Sequence, residues 1–395
     1  MVRLIGTSAY GIRAPIVKEG DHLEEIVVDS VLNAVEGNGL TIREMDVVAV
    51  TESLVARAQG NYCDVRAITS DLNAKYEDSI GVLFPITSRN RFSVILRAIA
   101  ETKKRIILFL SYPSDEVGNR IMDVDLITKH NINIYNDTLS EADYRRLVGE
   151  EYLHPFTGVD YVSLYKSYAI GDNIEIYLSN DPLAILEHTQ EVLIANIHDR
   201  SNLKELLKKH GAKTVYALDD IMTKPIDGSG YNPKYGLYGS NLSKEDSLKL
   251  FPRDAEGFVE KVQQLILERT GTEIQVMVYG DGAFKDPVGH IWELADPVVS
   301  PAFTSKLDGR PNELKLKYIA DNDLASMEGT DAEAAMRDKI LHKKQSDEAG
   351  MEVLGTTPRQ IPDLLGSLAD LISGSGDKGT PIVLIQGYFD NYASE

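Results

Sequence analysis

The sequence predicts an α+β fold that carries a large inserted α/β segment. The first segment has a clean grammar of short strand, amphipathic helix, buried strand and short helix, and strands and helices close the chain as well. Between about Tyr62 and Pro233 the pattern changes, and buried strands alternate with helices as in a layer packed on its own core. A loop rich in glycine and tyrosine, Asp227–Asn241, marks the return.

Each element follows from local chemistry. A strand is expected at Val2–Thr7, and an amphipathic helix after it buries Leu23, Ile26, Val27, Val31 and Ala34 at helical spacing. Asp21 is the expected N-cap, with Glu24 three residues on, and Gly37 and Gly39 end the helix. Asp46–Val50 is a buried strand that runs into Thr51-Glu52-Ser53 and a short helix closing at Gly60. In the middle, Arg105–Leu110, Val192–Ile197 and Thr214–Leu218 are strands, and Asn90–Thr102, Glu141–Glu151 and Asn202–His210 are helices. Tyr161–Tyr165 and Ile174–Leu178 are expected as hairpin strands. Beyond the Gly/Tyr loop come a helix over Asp254–Thr270, a strand over Ile274–Tyr279, helices over Gly329–Gly350 and Ile361–Ile372, and a last strand over Ile382–Gln386.

Composition narrows the function. At about 150 residues per domain, 395 residues predict two domains or three. The formal net charge of −20 repels phosphate backbones, so nucleic acid is not an expected partner. Cys63 is the only cysteine, which excludes a disulfide framework and fits a reducing, cytoplasmic setting. The longest apolar runs fall short of the ~20 residues of a membrane span, so no membrane partner is expected. No dinucleotide-binding or P-loop glycine pattern occurs, and the 8 histidines are scattered singly.

Three loops remain as carriers of chemistry. Thr51-Glu52-Ser53 sits at a strand end, with Arg57 one helical turn beyond Ser53, a pattern that suits an anion. Gly280-Asp281-Gly282 ends another strand, where Asp281 suits a divalent cation. Gly374–Pro381 brings Gly376, Asp377 and Lys378 before the last strand, in a loop able to wrap an anion. Alone, each is an ordinary cap, turn or connector; their order along the chain says more.

That order resembles the coenzyme F420-0:L-glutamate ligase family, the gamma-glutamyl ligases. Pro15–Leu23 is similar to the family's P-L-I-K-E-G-D-D-L, and Asp46–Gly60 to D-V-L-V-V-x-S-T-x-I-S-K-A-E-G. Gly236–Asn241 is similar to G-I-D-x-S-N, and Gly374–Gly387 to G-x-G-D-G-I-P-x-V-V-V-R-G with one residue of slippage. The chain thus resembles an enlarged member, with core halves at 1–61 and 235–395 and an inserted α/β region at 62–234.

The resemblance implies a homodimeric amide ligase that uses GTP as co-substrate and Mg2+ or Mn2+. It would join an amino acid such as L-glutamate to a carboxylate-bearing metabolite through an acyl phosphate. Carried over by position, Pro15, Ile16, Val17 and Lys18 line the nucleotide. Glu52 and Ser53 stand at the family's phosphate contacts, Arg57 replaces its lysine, Asn241 contacts the nucleotide and Asp281 binds metal. Three positions depart from the pattern. Tyr238 stands where the family has a metal-binding aspartate, so that ligand is either missing or supplied by Asp219, Asp220 or Asp227. Glu52 puts an acid at a phosphate contact, and Gln386 replaces an arginine. These departures keep open a ligase-like binding or assembly protein. A third reading moves the active site into the inserted region, at Ser88-Arg89-Asn90-Arg91.

Overall fold

A computed structural model describes residues 4–155, 157–280, 283–285, 292–294, 300–343, 360–373 and 377–394. The chain divides into two units, Met1–Ala58 with Asp254–Glu395, and Gln59–Arg253. Residues 235–253, expected with the first and last segments, belong to the second unit.

The first unit opens with β1 (Ser8–Ile12), so residues 4–7 of the expected first strand are not strand. Helix α1 (Leu23–Gly37) buries Leu23, Val27, Val28 and Val31. Its N-cap is His22 rather than Asp21. The Asp21 carboxylate instead accepts the Lys18 backbone N–H at 2.7 Å and closes the turn before the helix. Strand β2 (Val47–Thr51) then leads directly into α2 (Glu52–Ala58).

The second unit follows in chain order. It comprises β3 (Tyr62–Asp64), α3 (Val65–Lys75), β4 (Ser79–Leu83), α4 (Arg91–Glu101) and β5 (Arg105–Leu110). Next come α5 (Val124–Lys129), β6 (Leu139–Ser140), α6 (Glu141–Val148), α7 (Tyr161–Lys166) and β7 (Ile174–Leu178). It ends with β8 (Glu191–Ile194), α8 (Arg200–Lys209), β9 (Thr214–Ala217), β10 (Asn241–Lys244) and β11 (Ser247–Lys249). Tyr161–Tyr165, expected as a strand, is helical. Asp160 caps it by accepting the Ser163 N–H at 2.8 Å, and Tyr161, Val162 and Tyr165 face the core at helical spacing. A cap bond outweighs aromatic strand propensity over so short a run.

The described residues of this unit form a six-stranded sheet ordered β6-β7-β5-β4-β8-β9. All its pairings are parallel except β6 with β7. Burial on both faces accounts for the continuous apolar runs of β4, β5 and β8. Strand β11 pairs with β3, and Leu248 and Leu250 join the unit's main core, which is why residues 235–253 fold here.

The chain returns to the first unit through α9 (Glu256–Thr270), β12 (Gln275–Tyr279), β13 (Ala283–Lys285), β14 (Trp292–Leu294) and β15 (Ala302–Phe303). Helices α10 (Leu316–Asp321), α11 (Gly329–Leu341) and α12 (Ile361–Ile372) precede β16 (Ile382–Gln386). The main sheet is ordered β1-β16-β2-β12-β15. Alternate residues serve opposite faces. Val48, Val50, Val276 and Val278 pack with α1 and α9, whereas Val47, Ala49, Met277 and Tyr279 pack with α12. The outcome is an α+β protein with two mixed helix–sheet units.

Candidate functional site at one edge of the first unit's sheet

The pairing register of this sheet decides which loops meet. Thr51 at the end of β2 lies opposite Tyr279 at the end of parallel β12. Antiparallel β16 begins on the same edge, with Ile382 opposite Val50, and Ile12 at the end of β1 lies opposite Ile382. The segment after β1, helix α2, Gly280 and the loop before β16 therefore emerge at one edge. Three contacts hold them. Thr51 donates its N–H to the Pro381 carbonyl at 3.1 Å, and Gly20 donates to Ala58 at 2.8 Å. Gly11 faces Thr380 so closely that a Cβ there would sit 3.2 Å from the threonine Cβ.

Most of the sequence-derived candidates fall on this edge. Pro15, Ile16 and Lys18 are exposed, and Val17 is buried as the anchor of their segment. Glu52 is buried at the first position of α2, Ser53 is half-buried, and Arg57 is exposed on the helix's last turn. Asp377 and Lys378 are exposed in the loop that Pro381 closes. Among the described residues, Lys18, Arg57 and Lys378 make no side-chain ion pair. Their charges are therefore available to an anion. Helix α2 has 7 residues, so an anion here would depend on these side chains more than on a helix dipole.

Other candidates fall elsewhere. Asp281 and Gly376 lie outside the described residues. Asn241 belongs to the second unit, exposed at the start of β10 and opposite Lys249. Tyr238 is also in the second unit. Its buried phenol donates to the Asn196 carbonyl and stacks against the Arg200 guanidinium, 5.0 Å from the ring centre. Burial pushes that phenol far up, so it stays protonated.

The proposed substitutes are engaged. Asp219 binds Arg200 at 2.7 Å, Asp220 binds Lys204 at 2.6 Å, and Asp227 accepts from Ser70 at 3.3 Å. Gly236 and Gly239 have structural roles. Both have positive φ, and a Cβ at Gly236 would meet the carbonyl of Ile221 at 2.4 Å.

Gln386 has a clear structural role. It lies at the far end of β16, opposite Ser8, where its amide donates to Asp46 at 2.6 Å and to the Thr41 carbonyl at 3.0 Å. Sequence reasoning missed Tyr279, whose buried ring closes β12 at the candidate edge. Its only signal was its place as the last apolar residue before Gly280.

The donor set for a cation is partial. Buried Glu52 and exposed Asp377 offer hard carboxylates at the edge, and no group of three His, Cys, Asp or Glu among the described residues is placed to hold a metal ion.

The family described as F420-0:Gamma-glutamyl ligase matches residues 11–387. The chain belongs to that family. Ligase chemistry is the activity which that membership supports, and the match spans both units, including the middle region. No curated protein matches the chain in a sequence comparison. Among the described residues, no helix of this family member is long and apolar enough to cross a membrane.

Proposed function

We propose that this ligase joins an amino acid such as L-glutamate to a carboxylate-bearing small molecule, with GTP as phosphoryl donor. The observation that carries the reading is the meeting of the post-β1 segment, α2 and the pre-β16 loop at one sheet edge, with three uncommitted cations on them. Lys18, Arg57 and Lys378 would hold the triphosphate, and the 15–17 segment would flank the nucleotide. Asn241, Gly376 and Asp377 enter the reading through the family pattern alone.

The chemistry sets these needs. A carboxylate oxygen attacks the γ-phosphorus, the bond to the β-bridging oxygen breaks, and GDP leaves with that electron pair. The amine then attacks the acyl carbon of the resulting acyl phosphate; the carbon–oxygen bond breaks and phosphate leaves as the amine's proton passes to solvent. Cations that hold the phosphates in line and limit water access favour both steps. Mg2+ or Mn2+ would supply charge neutralisation on the triphosphate. Glu52 and Asp377 are described edge residues chemically suited to such an ion, with Asp281 the family's position for it. A cytoplasmic homodimer completes the reading, by resemblance.

Glu52 favours a second reading, in which the scaffold binds or assembles without turnover because a buried carboxylate repels phosphate. Calorimetry with GTP, in magnesium and in manganese, tests both. A saturable isotherm weakened by Glu52→Ser supports the ligase reading. An isotherm strengthened by that change supports the second, and no binding in either metal overturns the nucleotide assignment.

A further inference from the structure

The second unit contains a topological feature that the ligase reading does not use. From β4 the chain runs outward through β5 to β7, then returns to β8 on the other side of β4 and continues to β9. Strand order thus reverses between β4 and β8, which pair in parallel with Leu83 opposite Ile194. In open parallel sheets, the crevice beyond the carboxyl ends at such a reversal is where small ligands bind.

What lies beyond those two ends is built for an anion. The loop from Phe84 to Asn90 is held by hydrogen bonds to other parts of the unit. Thr87 donates its N–H and its hydroxyl to Asp115 at 2.8 and 2.9 Å, and Ser88 donates its N–H to the Tyr165 hydroxyl at 2.7 Å. The loop delivers the start of α4, an 11-residue helix with no acidic residue in its first turn and no side-chain cap from Asn90. First-turn N–H groups have no partner within a helix, and here Arg89 and Arg91 flank them. The loop contains no glycine, so its backbone does not fold around a pyrophosphate as a glycine-rich turn does. A single phosphate is the better match.

A second observation comes from the other side of the crevice. Ala195 donates to the Leu83 carbonyl at 2.8 Å and sets the next residue, Asn196, beside the β4 loop. Asn196 is 7% exposed, and among the described residues its buried side-chain oxygen has no hydrogen-bond donor. Its own carbonyl takes the Tyr238 hydroxyl, whose charged neighbours include Arg200 and Arg91. Two carboxylates among the described residues nearby are engaged. Glu116 accepts from the N–H groups of Ile197 and His198 and from the His198 ring, and Asp219 is held by Arg200 and Lys204. A buried amide oxygen with no donor is a group that a ligand hydroxyl satisfies.

We propose that this switch point is a second ligand site, taking a phosphate monoester of a polyol. The phosphate sits on the first turn of α4 between Arg89 and Arg91, and a ligand hydroxyl donates to the Asn196 side-chain oxygen.

The test is calorimetry on the full chain with ribose 5-phosphate and, separately, inorganic phosphate. Saturable binding of ribose 5-phosphate is expected, tighter than that of inorganic phosphate. The Arg89→Ala/Arg91→Ala double variant should weaken both by tenfold or more. Asn196→Leu should weaken ribose 5-phosphate about tenfold and leave inorganic phosphate unchanged. Its side chain breaks no hydrogen bond on replacement, so its ligand-free melting temperature should hold or rise, and a melt checks that it folds.

Absence of saturable ribose 5-phosphate binding by the unaltered protein overturns the proposal. So does equal affinity in Asn196→Leu, or a loss of binding in Arg57→Ala equal to that in the double variant. The last result would move the anion to the first unit's edge.

Discussion

Thr51 and Pro381, 330 positions apart in the chain, share one backbone hydrogen bond of 3.1 Å. That bond closes the edge of the first unit's sheet and sets the loop carrying Asp377 and Lys378 beside the start of α2. Everything proposed for nucleotide binding depends on this juncture.

Lys18→Ala and Arg57→Ala should each weaken GTP binding about ten- to a hundredfold, the scale of one charge-assisted hydrogen bond. Both side chains are exposed and make no described ion pair, so their melting temperatures should stay near that of the unaltered protein. Calorimetry paired with thermal melts separates the two effects. Undiminished GTP affinity in both variants would remove the edge from the nucleotide reading.

Gln386 should behave in the opposite way. It lies about 14 Å from Ile382 along β16 at a typical rise per residue, and it satisfies the carboxylate of buried Asp46. Gln386→Leu should lower stability by about 1–3 kcal/mol, since it leaves that acceptor short of a donor. GTP affinity should be unchanged. Urea unfolding and calorimetry on the same variant check both statements.

Acid should lower the stability of the second unit over two pH ranges. Burial holds the His154 imidazole below its ordinary 6.5, and its Nδ1 accepts the Thr157 N–H at 3.1 Å. The unfolded chain therefore takes up this proton first, and stability falls as pH drops below about 6.5. Asp160 is the reverse case of a carboxylate. Burial opposes its charge, but Arg145 and the N–H groups of Ser163 and Tyr152 outweigh it, so its pKa lies below the ordinary 3.8. Its contribution is present above that value and is lost as pH falls through it and beyond. His154→Gln should flatten melting temperature between pH 7 and 5.5. Asp160→Asn should cost about 3 kcal/mol at neutral pH by breaking a largely buried pair.

Cys63 should be inert. Its thiol is buried, and burial followed by the charge of Asp64 pushes it up to about 12. A thiol reagent at pH 8 should label the native chain far more slowly than the chain in guanidinium. Equal rates would contradict the packing of β3.

Local pattern made much of the architecture legible. Ile361–Ile372 and Ile382–Gln386 are helix and strand as expected, because an amphipathic period and a short apolar run each have one low-energy outcome. Tyr161–Tyr165 is helix rather than strand because it depends on a cap at Asp160, itself held by Arg145. The candidate loops at 51–57 and 374–381 were readable as loops, but their meeting was not. Asn241 goes with those loops by motif alone, whereas β11 pairing with β3 draws its segment into the second unit.

The sequence by itself determined the family, the periodic helices and strands, and the types of residue available for an anion, since each is written in local order and spacing. Only tertiary structure decided that Lys18, Arg57 and Lys378 share an edge, that Gln386 stands away from it, and that Asn196 follows β8 where the strand order reverses. Register and strand order arise from hydrogen bonds between residues hundreds of positions apart, and no local pattern carries them.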